Sequence, residues 1–190
     1  MNKSLFSKYI IPFIEWYGLF IVLAIVIDYF LHRFQLHTVG YYLGIAGTLL
    51  IIFSFIYSLR KRKIITIGSP KGLLQLHEIL SWLGATLILV HAGIHFNALL
   101  PWLAIFMMLI AVGSGLTGKF LLIKASDTLK EKKNKLLKKG FDEKEVDKKL
   151  FLDSTTLLIM KKWREVHLPI TLVFAILSLL HIISIFMFSK

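Results

Sequence analysis

The chain of 190 residues has no cysteine. That absence excludes disulfides, thiolate metal sites, iron–sulfur ligation by this chain and thioether-linked haem. Acidic residues are scarce, 11 against 23 Lys and Arg. No glycine-rich nucleotide fingerprint follows a strand pattern, and no polar segment is large enough for a flavin or nicotinamide fold. Strict apolar–polar alternation is also missing, which argues against a closed membrane barrel. Between Val39 and Leu59 there is no charged residue at all.

What fills the chain instead is apolar: 56% hydrophobic residues and a mean hydropathy of +0.73. Soluble domains are much less apolar, so the composition predicts one all-α integral membrane domain over 1–190. The apolar runs predict five spans, at about 11–31, 39–59, 73–96, 98–123 and 166–188. Each is near or above the ~20 residues that cross the hydrocarbon core as a helix. The first is too long, and ends wrongly, for a cleaved signal peptide. The charged stretch 124–165 carries Leu129, Leu136, Leu137, Val146, Leu150 and Phe151 at loosely helical intervals. It reads as an amphipathic helical hairpin broken at Gly140, lying at the membrane surface or docking an electron-transfer partner.

A net charge of +12 invites a nucleic-acid reading, but its distribution argues for membrane topology. With five spans, the N-terminus, the 60–72 loop and the 119–165 stretch fall on one side. All of the 23 Lys and Arg except Arg33 and Lys190 lie there. The positive-inside rule then places the N-terminus in the cytoplasm and the C-terminus outside. The membrane expected is a bacterial or archaeal cytoplasmic membrane. The basic excess also suits contact with anionic lipid.

The most informative pattern is a repeated spacing. His77 and His91 are fourteen residues apart in the third span, and His167 and His181 are fourteen apart in the fifth. Fourteen helical residues rise about 21 Å and turn about 1400°, so each pair shares one face. The third and fifth spans run parallel, which puts His77 level with His167 and His91 level with His181. Histidines inside a membrane are costly without partners. One imidazole from each of two helices, at two depths, is the ligand set of two bis-histidine b-type haems. Structural zinc would require four protein ligands at each level.

Other residues are secondary candidates. Gly84, midway between His77 and His91, leaves room between stacked rings or packs against a neighbouring helix. Phe174 holds the equivalent midpoint of the fifth span. Arg164, three residues before His167, suits a haem propionate. His95 is an alternative outer ligand, eighteen residues from His77 and on the same face. His32 and His37 read as surface residues, with an outer site shared with His95 as the alternative. Gly40, Gly44 and Gly47 form a small-residue stripe suited to close helix packing or to a flat cofactor. Glu15 and Asp28 read as interfacial or interhelical carboxylates, with proton or quinone contact as the alternative.

The His77-x13-His91 and His167-x13-His181 spacings resemble those of the membrane di-haem b-type cytochromes. Trp163-Arg164-Glu165-Val166-His167 is similar to the last helix of bacterial ferric-reductase-like membrane domains. The resemblance implies a haem-binding four-helix bundle from spans two to five, with the first span an addition. It departs from respiratory cytochrome b in length, in lacking that family's outer quinol-site signature, and in having no clear fourteen-residue glycine pairs on the non-ligand helices.

Two expectations follow. In the first, the chain is an electron-transfer subunit with two haem b, passing electrons between a quinone or redox partner protein and another acceptor. Quinone or ferric reductase activity would be an addition. In the second, it is a haem-free proton- or metal-coupled transporter or a membrane scaffold, whose intramembrane histidines and carboxylates serve protons or a metal.

Overall fold

The structure is a computed structural model, described here for residues 4–93, 98–117 and 121–188. All regular structure among the described residues is helical. Proline and glycine set many of the boundaries. α1 (Ile11–Arg33) is entered through one wide turn, Phe6–Ile10, in which the Ile11 N–H bonds the Phe6 carbonyl. Pro12 explains the widening, since its ring crowds the carbonyl four residues back and it has no N–H to donate. α2 (His37–Ser54) and α3 (Ile56–Lys61) are separated by a break at Phe55. α4 (Pro70–Ala92) starts with proline at its first position, and the Ser69 hydroxyl accepts the Gly72 N–H at 3.1 Å. It stops at Gly93, whose φ of 54° favours a residue without Cβ. α5 covers Leu99–Leu116.

Three helices follow the fourth span: α6 (Leu122–Lys138), α7 (Glu143–Lys149) and α8 (Phe151–Glu165). Gly140, at φ 83°, makes the turn between α6 and α7. α8 passes into α9 (His167–Phe188) with only Val166 between them. Pro169 accounts for that interruption, because the Glu165 carbonyl loses the donor it would have met in an unbroken helix.

Five helical stretches are long and apolar enough to cross a membrane: Phe6–Arg33, Thr38–Lys61, Pro70–Ala92, Leu99–Leu116 and Phe151–Phe188. By length and composition the chain is an integral membrane protein. The last stretch has 38 residues, more than the ~20 one crossing needs, and it is the one interrupted at Val166. α9 alone, at about 33 Å, matches the core. The third stretch starts and stops a few residues earlier than the apolar run suggests, because Pro70 opens α4 and Gly93 ends it. Leu122 and Ala125, beyond α5, are buried in α6 against Leu5, Leu157 and Met160.

The closest helix packing joins α2 to α4 and α5 to α9. α4 also meets α5 and α1, while α4 and α9 have no packing of comparable extent. Between α4, α5 and α9 lies a core of Ala85, Ala104, Ile105, Met108 and Phe174. Ile52, Phe106 and Ile176 point outward and are exposed, as lipid-facing side chains are. At the basic end, buried Asp153 of α8 accepts the Leu5 N–H at 2.7 Å and the Lys132 ammonium at 2.6 Å. This ties the start of the chain to the α6–α8 hairpin.

Candidate functional site: two levels of paired histidines

Each histidine of the repeated spacing sits on α4 or α9, and the helices beside them fix the rings. His77 Nδ1 lies 3.0 Å from the Ser54 carbonyl, and His91 Nδ1 lies 3.0 Å from the Gly40 carbonyl, both on α2. His167 Nδ1 lies 3.0 Å from the Ala111 carbonyl of α5 and 2.9 Å from the Ser114 hydroxyl. A carbonyl can only accept, so in all three rings the proton belongs on Nδ1. A neutral imidazole protonated there presents the lone pair of Nε2 to a metal. Thus α2 orients the rings of α4, and α5 orients the first ring of α9. His181 has no hydrogen-bond partner among the described residues. Ser178 lines the same cavity without bonding to it.

The rings fall into two sets. His77 lies near His167, and His91 shares a cavity lining with His181. Lys61, at the end of α3, lies near His167 and marks that level as the basic end. There the Tyr57 ring stacks on His77 at 5.5 Å. At the other level His91 and His181 face a cavity of about 480 Å³ bounded by α2, α4, α5 and α9. Its volume falls in the usual range for small-molecule and cofactor sites, roughly 300–1,000 Å³. The walls are mostly apolar and include Ile88, Trp102 and Phe174. Phe174 is buried between the two levels with Ala85 and Met108.

Glycine makes room for the rings. A Cβ on Gly44 would lie 2.6 Å from His91 Cγ, so a side chain there would displace the imidazole. A Cβ on Gly115 would lie 3.2 Å from His167 Cε1. Gly84 behaves differently from the expectation that it leaves space between stacked rings. Its missing Cβ faces α2, 2.8 Å from the Gly47 carbonyl and 2.7 Å from Ile51 Cγ1, so it permits a close helix crossing.

The donor set suits a planar group that brings its own equatorial ligands. No three or more His, Cys, Asp or Glu side chains gather as a metal site among the described residues. Two imidazoles per level are too few for a bare structural zinc ion. They are the number needed by a haem iron.

The remaining candidates lie apart. His32 Nδ1 lies 3.0 Å from the Asp28 carbonyl and 3.1 Å from its carboxylate, so the ring does not stand alone at the surface. Asp28 is buried against Gly93 at the end of α4, which makes it an interhelical carboxylate. Glu15 is exposed. His95, Gly118 and the side chains of His37 and Arg164 lie outside the described residues. Sequence reasoning missed the carbonyls of Gly40, Ser54 and Ala111, the hydroxyl of Ser114, and Tyr57. Backbone acceptors leave no mark in side-chain identity, so no signal pointed to the three carbonyls. No family model, curated protein or solved structure matches the chain.

Proposed function

We propose that the chain is a membrane di-haem b-type cytochrome, with spans two to five forming a haem-binding four-helix bundle and the first span packed outside it. The observation that carries this reading is the common tautomer of His77, His91 and His167, each with Nδ1 on a backbone carbonyl and Nε2 left for a ligand. The nearness of His77 to His167, and the cavity that His91 and His181 both line, support two centres. Haem b would supply one-electron iron chemistry at each level. The protein's part is to hold neutral imidazoles, exclude water with apolar walls and keep the two levels apart with Phe174 and Met108. Electrons would enter and leave through a quinone or a redox partner protein.

The test is a reduced-minus-oxidised optical spectrum of protein purified after haem-sufficient expression, with haem quantified per chain. Bis-histidine b-type bands and two haems per chain are expected. A folded, colourless protein would remove the reading.

A further inference from the structure

A second cavity, of about 340 Å³, lies at the basic end between α1, α4, the end of α5 and the start of α6. Lys8 and Lys124 stand among its lining residues, and both are exposed. Neither ammonium lies within 4 Å of a carboxylate among the described residues. Tyr9 links the two lysine-bearing segments of the site. Its ring lies 5.2 Å from the Lys8 ammonium, and its hydroxyl bonds the Lys124 carbonyl at 3.3 Å and Thr128 at 2.7 Å. From the lysines the lining passes Trp16 and Tyr17 and reaches Trp82. Trp82 is twelve residues into α4, about 18 Å along the helix and close to the bilayer centre.

The site therefore grades from two cations at the surface to aromatic walls deep in the apolar layer. A free anion would leave the aromatic depth unused, and a neutral ligand would leave two ammoniums without a counter-charge. We propose that this cavity binds an anionic phospholipid, its phosphate headgroup between Lys8 and Lys124 and an acyl chain running towards Trp82. Lysines near an anionic lipid surface each favour binding by a modest electrostatic increment, and interfacial Trp and Tyr suit the headgroup–chain boundary. The lipid would fill the seam between the first span and the α6–α8 hairpin. This inference does not rest on the haem reading.

The experiment uses full-length protein in neutral detergent, with Trp16, Trp102 and Trp163 replaced by Phe so that Trp82 alone reports. Brominated phosphatidylglycerol should quench Trp82 at about tenfold lower concentration than brominated phosphatidylcholine. Lys8→Gln with Lys124→Gln should abolish that preference, and Lys135→Gln with Lys138→Gln should retain it. As a measurement free of tryptophan changes, native mass spectrometry of the unaltered chain should show one co-purified phosphatidylglycerol that the Lys8→Gln/Lys124→Gln variant loses. Equal quenching by the two lipids, or a preference surviving Lys8→Gln/Lys124→Gln, would overturn the proposal. So would complete displacement of the lipid by inorganic phosphate alone. A short-chain quinone that displaces the lipid equally well in both proteins would assign the cavity to a neutral ring instead.

Discussion

A histidine whose Nδ1 proton is held by an acceptor presents the lone pair of Nε2 in a fixed direction. In His77, His91 and His167 that acceptor is a carbonyl one helix away. The level assignment yields a spectroscopic expectation. His77→Ala and His167→Ala should lose the same haem signal, and His91→Ala and His181→Ala should lose the other, with haem measured per folded chain. If His77→Ala instead shares its phenotype with His181→Ala, the levels are crossed and the parallel arrangement of α4 and α9 is wrong. Much of this was legible in the sequence, since a fourteen-residue spacing on two helices fixes face and height from helical geometry alone. What was illegible is the shell behind the rings. Ser54 accepts from His77 through its backbone, which any residue type would offer.

At the scale of elements, the molecule rests on two tight helix pairs, α2 with α4 and α5 with α9. In lipid such pairs are held by close van der Waals packing rather than by exclusion of water. Gly47 and Gly84 provide that closeness, with a Cβ on Gly84 falling 2.8 Å from the Gly47 carbonyl. Gly84→Ala should destabilise the protein by about 1–3 kcal/mol, because a backbone carbonyl cannot swing aside. Gly18→Ala meets nothing within 4 Å and should be neutral or stabilising by up to about 1 kcal/mol through helix propensity. Thermal unfolding of both variants in detergent compares them directly, and equal midpoints would show that the α2–α4 crossing yields easily. Glycine is ambiguous in sequence because a missing Cβ can serve a helix or a ring. Here Gly44 serves the His91 ring and Gly84 serves the neighbouring helix. The break at Val166 was hidden for another reason. Its cause, Pro169, acts four residues upstream through a carbonyl, while the apolar run continues uninterrupted past it.

At the scale of the whole molecule, helical structure with five apolar stretches among the described residues was readable from composition, because backbone groups in lipid must be satisfied within each segment. The attachment of the hairpin was not. It depends on Asp153 meeting Leu5 and Lys132 across long sequence separations, which hydropathy does not record. The placement of nearly all Lys and Arg on alternate connections gives a topological expectation. Reporters fused at Lys135 and after Lys190 should light up in opposite compartments, the first in the cytoplasm. Signals from one compartment only would refute the count of five crossings.

The unbroken helical run from His77 to His91 has an electrical consequence. Its rise of about 21 Å is roughly two thirds of a hydrocarbon layer about 30 Å thick. A full charge crossing that layer does about 2.3 kcal/mol of work per 100 mV. For a carrier with one redox centre at each histidine level, an electron stepping between them would move through most of the membrane voltage. About 1.5 kcal/mol per 100 mV would then be added to or taken from the step, according to its direction. The same fourteen residues that set the geometry would thereby make the chain a sensor of the energy state of its own membrane.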